Sequence, residues 1–305
     1  MLNCAFIFGE CKVWQRVKHW LFSKRYLKQR VGFLHQQLLI SQQRLLAQQG
    51  LTLNAENVEA ESIDCVVSLT SYGKRIATLH HTLYSLLNQT VKPQQIIVWL
   101  AHGEVLTAEL KKLESHITFN WCEDLRSYKK LIPSLRLQLG VPIITFDDDI
   151  IYPVDQIEQL YKQHLVYPSA IICHRAHKVT FGSTGHIAPY AQWQFDCNEQ
   201  LPSYLLMPIG IGGVLYPENC FAEEVTNTEL CMALCPTADD IWFKFMTLKK
   251  GIKIKLVANP TPYKDYLHVV GTQAHSLWLH NKTANDAQIA NVIGFDKTLL
   301  AKLRQ

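Results

Sequence analysis

No run of about 18 apolar, uncharged residues occurs in the 305-residue chain, so nothing in it reads as a membrane-spanning helix. Cysteine occurs nine times without a CxxC, and Cys231 and Cys235 have no second pair of Cys or His to complete a zinc site. The count is odd, and Cys65 and Cys173 sit in apolar runs where a thiol behaves as a small hydrophobe. Reduced thiols and a cytoplasmic location are the expectation. A secretory signal is lacking: residues 1–9 are apolar but short, and the basic residues follow them instead of preceding them. RNP, helix-turn-helix and zinc-finger signatures are missing, which argues against nucleic acid as a partner. No GxGxxG follows a first strand, and no internal repeat is present. What remains, at 48% hydrophobic and 18% charged residues, is a globular composition.

Charge of one sign is missing from one segment. Residues 11–50 carry eight basic residues (Lys12, Arg16, Lys18, Lys24, Arg25, Lys28, Arg30, Arg44) and no Asp or Glu. The formal net charge of +4 is therefore an arm of +8 on a body of −4. Leu27, Val31, Leu34, Leu38 and Leu45 step by three, four or seven, with Trp14, Val17 and Leu21 upstream, and no Pro precedes Pro93. This predicts a basic helical extension over 1–50, stopped at Gly50, then a polar linker over 51–62 and one domain over 63–305.

From residue 63 the pattern alternates. Strands are expected at 65–69, 96–100, 117–121 and 141–146, and helices at 76–88, 107–115 and 126–139. Such alternation predicts an α/β fold with a mostly parallel, Rossmann-like sheet flanked by helices. Its ligands should sit beyond the carboxyl ends of the strands, at loops 70–75, 102–104 and 147–152. Beyond residue 155 the alternation weakens. A strand is expected at 170–174, an irregular aromatic stretch at 178–205, a glycine-rich segment at 209–216, a helix at 238–250 ended by Gly251, and a strand at 253–257.

Asp147, Asp148 and Asp149 follow an apolar strand directly. Three consecutive carboxylates repel one another unless a cation sits among them. Asp147 and Asp149 are two apart and can point to one side of an extended chain, a spacing that suits Mg²⁺ or Mn²⁺. A solvated acidic turn is the plain alternative, and the apolar residues on both sides speak against it. Asp239 and Asp240 open a helix, where acidic residues complement the dipole and Thr237 can cap. Beside a phosphate–metal site, the same pair offers a general base. Arg126, Lys129 and Lys130 offer cations to a phosphate, or a solvated face. Gly210, Gly212 and Gly213 permit close approach of backbone to a ligand, or form a bulged strand. His275, with Trp278 and His280 in a late polar–aromatic loop, can add a third metal ligand or be structural. His174, Arg175, Ala176 and His177 follow a strand end and are expected to line the same cleft, where HxxH alone is a weak metal signal.

Taken in order, these segments resemble the GT-A nucleotide-sugar glycosyltransferases, near the family-2-like enzymes of bacterial surface-polysaccharide (lipopolysaccharide and capsule) biosynthesis. The resemblance runs over about residues 63–295. VVSLTSYGKRIATLHHTLYSLLNQTVKPQQIIVWLA (66–101) is similar to the opening strand, helix and second strand, and WCEDLRSYKKLIPSL (121–135) to the helix before the metal motif. ITFDDDIIYP (144–153) is similar to the DXD motif. GIGGVLYP (210–217) and LCPTADDIWFKFM (234–246) resemble the acceptor-side segments, and SLWLHNKTANDAQI (276–289) the closing region.

That resemblance implies roles. Thr70, Ser71, Tyr72 and Arg75 would meet the nucleotide, and Lys129 or Lys130 its base or phosphate. Asp147 and Asp149 would hold Mn²⁺ or Mg²⁺ and the donor diphosphate, with Asp148 beside them; His275, read from its own loop, is a candidate third metal ligand or diphosphate contact. Asp240 matches the catalytic base of inverting enzymes. Asp239 stands where the family's motif has Glu, which leaves the base between these two residues. The implied activity is sugar transfer from a nucleotide-sugar donor to a glycan or lipid-linked acceptor hydroxyl. Two alternatives stay open: a sugar-phosphate nucleotidyltransferase, whose Gly-rich basic loop SLTSYGKRI lacks, and a non-catalytic carbohydrate-binding or scaffold module. The basic arm, with Trp14, Trp20 and Phe22, suits peripheral contact with an anionic membrane face or packing on protein.

Overall fold

Neighbouring apolar residues in each short strand go to opposite faces of one sheet, and this builds a core on both sides of it. The computed structural model describes residues 60–183, 185–269, 271–272 and 278–305, except the side chains of 278–283. The basic extension over 1–50, nearly all of the linker, and His275 lie outside the described residues.

The strands, in chain order, are β1 (Ser62–Thr70), β2 (Lys92–Ala101), β3 (Thr118–Cys122), β4 (Ile143–Thr145), β5 (Ile150–Ile151), β6 (Ile171–Cys173), β7 (Ala176–Lys178), β8 (Leu206–Pro208), β9 (Val214–Tyr216), β10 (Ile254–Leu256) and β11 (Leu267–His268). Seven form the main sheet in the order β10-β6-β9-β4-β1-β2-β3. All pairings are parallel except those of β9, which runs against both β4 and β6. Two small antiparallel sheets, β11 with β5 and β7 with β8, lie outside it. The architecture is thus α/β with a mostly parallel sheet, as the alternation predicts.

Adjacent residues split between two cores. Ile143, Ile171 and Val214 pack on one side with Trp242 and Phe245 of the helix Asp239–Lys250. Ile144, Ile172 and Leu215 pack on the other with Leu79 and Leu83 of the helix Leu79–Leu87 and with Ile157 and Leu160 of the helix Gln156–Val166. Each such side chain, taken fully out of water, contributes roughly 1.5–3 kcal/mol. Burial on both faces is why these strands read as continuous apolar runs. The seven described cysteines are free thiols, six of them buried and Cys122 partly exposed.

Several elements differ from expectation. In place of one helix over 76–88, a 3-10 turn, Gly73–Ala77, precedes the helix Leu79–Leu87. The helix expected over 107–115 keeps only Ala108–Lys111. The helix expected over 126–139 divides into a 3-10 segment, Arg126–Lys130, and a short helix, Ile132–Arg136, because Pro133 has no N–H to continue the ladder. Thr237 does not cap the 239–250 helix; its hydroxyl accepts from Gln288 at 3.0 Å, and Ala238 takes the cap position without a side-chain bond. Trp278 and His280 lie in a helix, Trp278–Phe295, and not in a loop. The 239–250 helix ends at Gly251 with φ 84°, the left-handed stop its sequence announces. No described helix is long and apolar enough to cross a membrane.

Candidate active site

Strand order turns on β1: β2 and β3 continue to one side and β4 begins the other. A crevice beyond the carboxyl ends of β1 and β4 is therefore expected, and a cleft of about 860 Å³ opens there. Thr70, Tyr72 and Arg75 line it from the end of β1, and Asp147, Asp148 and Asp149 from the end of β4. Loop 102–104 does not line it; Glu104 accepts the Gly73 backbone N–H at 2.8 Å instead.

The three aspartates are fixed by their backbone. The Asp147 N–H donates to the Tyr152 hydroxyl at 3.0 Å, the Asp148 carbonyl accepts from Thr82 at 2.9 Å, and the Asp149 carbonyl accepts the Val269 N–H at 2.8 Å. Their carboxylates have different surroundings. Asp148 turns inward, paired with Arg75 at 2.6 Å and accepting from the Ser71 hydroxyl at 2.6 Å. Asp149 pairs with the other arm of Arg75 at 2.5 Å, yet burial, only partly offset by Arg75, pushes its carboxyl up to about 7. Asp147 has the most open side chain of the three, 32% exposed, against 5% and 12% for Asp148 and Asp149.

Lys130 joins this loop to the second carboxylate pair. Its ammonium lies 3.2 Å from Asp147, 2.8 Å from Asp239 and 3.8 Å from Asp240. Burial works against its charge, but the three carboxylates outweigh that and raise its pKa well above the usual lysine value. Asp240 also accepts the Gly210 backbone N–H at 3.2 Å. Burial, only partly countered by Lys130 and reinforced by Asp239, holds the Asp240 carboxyl above the ordinary carboxylate range. Gly210 fits closely here: a Cβ on it would lie 2.8 Å from the Lys130 ammonium and 2.9 Å from an Asp147 oxygen.

Of the residues the sequence singles out, Thr70, Tyr72, Arg75, Lys129, Lys130, Asp147, Asp148, Asp149, Asp239 and Asp240 share this one cleft. Ser71 does not line it; fully buried, it supports Asp148 from behind. Lys129 is buried and ion-paired with Asp124. His174 and His177 are buried, and His177 Nδ1 accepts the Asp196 N–H at 3.1 Å, so they form no metal pair. The strand end 174–177, which the sequence places toward the same cleft, contributes Arg175 to it; sequence reasoning misses Phe195, Asp196, Tyr263 and His268, which with Arg175 form another part of the lining. Long-range pairings bring them in: His268 of β11 pairs with Ile150, just past the aspartates, and Cys197 N–H donates to the Ala176 carbonyl.

The charges of the cleft test whether a cation fits. The described lining carries seven aspartates against five Arg and Lys side chains, an excess of two carboxylates. A divalent cation cancels that excess, and hard carboxylate oxygens are its preferred ligands. Asp147 has the open carboxylate such a cation would need, with Asp149 beside it on Arg75; among the described residues no group of three or more His, Cys, Asp or Glu is set at ligand spacing.

Comparison with known proteins adds little. No family model matches the chain, and no curated protein matches it. A solved structure of a 4-diphosphocytidyl-2C-methyl-D-erythritol synthase is similar at 10% identity and a TM-score of 0.39, over 68% of this chain and 96% of that one.

Proposed function

We propose that this protein is a divalent-cation-dependent transferase that moves a sugar from a nucleotide-sugar donor to an acceptor hydroxyl. The observation that carries the reading is the meeting of two carboxylate groups, 147–149 and 239–240, around one buried lysine at the β1/β4 switch. Asp147 and Asp149 would hold Mn²⁺ or Mg²⁺. When bound, the cation supplies Lewis-acid neutralisation of the departing nucleoside diphosphate. Thr70, Tyr72 and Arg75 would line the nucleotide, and Asp148, paired with Arg75, would fix that guanidinium's position. Asp240, whose elevated pKa brings it nearer to an acceptor hydroxyl, would take the proton as base, with Asp239 and Lys130 holding its orientation. One base and direct displacement give inversion at the anomeric carbon.

Nucleotidyl transfer onto a sugar phosphate is the second reading. It would use the same cation, and the partly buried Arg75 and the buried Lys130 suit a phosphate under attack. The acceptor class (a glycan or lipid-linked glycan) and peripheral contact of residues 11–50 with an anionic membrane are part of the first reading.

The test is product release. Nucleotide sugars of UDP, GDP and CMP, assayed with Mn²⁺ or Mg²⁺ and acceptor glycans, should release the nucleotide, with the anomeric configuration inverted by NMR. Pyrophosphate release from a nucleoside triphosphate and a sugar phosphate would select the second reading. If neither product forms and Mn²⁺ does not bind, the chain is a non-catalytic module.

A further inference from the structure

The donor machinery described above uses one part of the cleft. Another part, built from Arg175, Phe195, Asp196, Tyr263 and His268, has no role in it. These residues are held firmly yet remain open. Phe195 packs on His177, with ring centroids 4.4 Å apart, and edge-on to Tyr190 at 5.4 Å, while staying 40% exposed. Tyr263 is 41% exposed; the Arg175 guanidinium lies 4.2 Å from its ring centroid, and His268 meets its ring at 5.7 Å.

Between the rings runs a polar pair. Arg175 Nε donates to Asp196 at 2.6 Å. Asp196 sits at φ 49°, a left-handed conformation that side chains other than glycine rarely adopt. Its N–H to His177 and the Cys197 N–H to Ala176 hold it there. Strain of this kind persists only where surrounding bonds enforce it, and here it sets a carboxylate beside a guanidinium at the cleft wall.

Two open aromatic rings flanking a donor–acceptor pair match a pyranose, which offers apolar C–H faces and a rim of hydroxyls. Charge selects among pyranoses. Arg175 and Asp196 cancel each other, and the cleft as a whole already has two carboxylates in excess. An anionic sugar is thereby disfavoured.

We propose that this wall is the acceptor subsite and takes a neutral pyranose, stacked on Phe195 and Tyr263 and hydrogen-bonded to the Arg175–Asp196 pair. As an acceptor subsite it rests on the transfer reading, and its test is therefore separate from turnover. Full-length protein, without donor, is mixed with methyl β-D-glucopyranoside, methyl β-D-galactopyranoside, methyl α-D-mannopyranoside or methyl β-D-glucuronide at millimolar concentration. Saturation transfer from protein to sugar is then recorded by NMR.

At least one neutral hexoside should show saturation transfer more strongly than the glucuronide. The signal should fall at least about fivefold in Tyr263→Ala and Phe195→Ala and persist in Tyr263→Phe. Saturation transfer to no hexoside, an equal or stronger signal from the glucuronide, or undiminished binding in both alanine variants overturns the proposal. Both rings are substantially exposed, so their truncation leaves the core intact, and circular dichroism confirms the fold. Release of nucleotide without sugar binding at the wall would leave the transfer reading standing and remove this one. Binding without release would do the reverse, leaving a pyranose site with no transfer reaction.

Discussion

Lys130 is the side chain on which the site's electrostatics depend. It is buried, and three carboxylates surround it. Removing one partner of such a cluster is far worse than never having built it, because uncompensated buried charge remains. Lys130→Met should therefore cost about 3–5 kcal/mol in chemical denaturation at pH 8. The loss should shrink near pH 5, where the orphaned aspartates can take protons, and Asp239→Asn in the same chain should recover part of it. Asp149 carries the opposite sign. Its folded-state pKa of about 7 lies above the usual carboxylate value, so the native state binds the proton more tightly than the unfolded chain. Its contribution to stability is complete below about pH 4 and is lost as pH rises through about 7. With chelator present, Asp149→Asn should thus melt higher than the parent protein at pH 8 and equal to or below it at pH 4. Added Mn²⁺ should raise the melting temperature of the parent and leave Asp149→Asn unmoved. Equal Mn²⁺ responses would remove Asp149 from the metal set.

At the scale of elements, the glycine turn 209–213 and the helix Asp239–Lys250 invite opposite substitutions. Gly210 has an ordinary backbone but no room: a Cβ there meets the ion-paired ends of Lys130 and Asp147. Gly210→Ala should pry the Lys130–Asp147 pair apart, destabilising by on the order of 1–3 kcal/mol and weakening Mn²⁺ binding at least about tenfold, measured by calorimetric titration. The helix has a charge it does not need. Lys244 is buried with its ammonium donating to the Tyr204 carbonyl at 2.5 Å, and burial lowers its pKa to about 7. Between about pH 7 and 10 the unfolded chain binds a proton the native state lacks, so stability rises with pH across that window. Lys244→Met should stabilise by on the order of 1–3 kcal/mol near pH 7 and by much less at pH 10. A constant difference across that range would show that desolvation of the ammonium is not its origin.

Over the whole molecule, what was legible in the sequence depended on how local its cause is. Strands β1 to β4 and the helix closed by Gly251 follow from apolar runs and a stop residue within a few positions. The triple aspartate was legible because charge density after an apolar strand is itself a local anomaly. The helix Gln156–Val166 was not read, although Ile157, Leu160 and Tyr161 have helical spacing, since Gln, Glu, Lys and His dilute its apolar face. The direction of β9 was hidden too: Val214–Tyr216 looks the same to a local reading whichever way it pairs. The aromatic wall was hardest to see. Arg175, Asp196 and Tyr263 meet only through the β6–β7 corner, the 194–197 return and the β5–β11 pair, and none of these leaves a periodic trace.

The free cysteines give this molecule an internal record of its own opening. Cys65 and Cys173 lie in strands of the central sheet, and Cys231 and Cys235 lie in and at the end of the helix Thr228–Leu234, just before the helix that carries Asp239 and Asp240. Burial raises the pKa of all four, so they are closed to alkylating reagents in two ways, by access and by protonation. Brief pulses of iodoacetamide followed by peptide mass spectrometry should modify Cys122 first among the described cysteines. The order in which the other four follow would then report, without any engineered probe, whether the sheet and the carboxylate-bearing helix come apart together or one after the other.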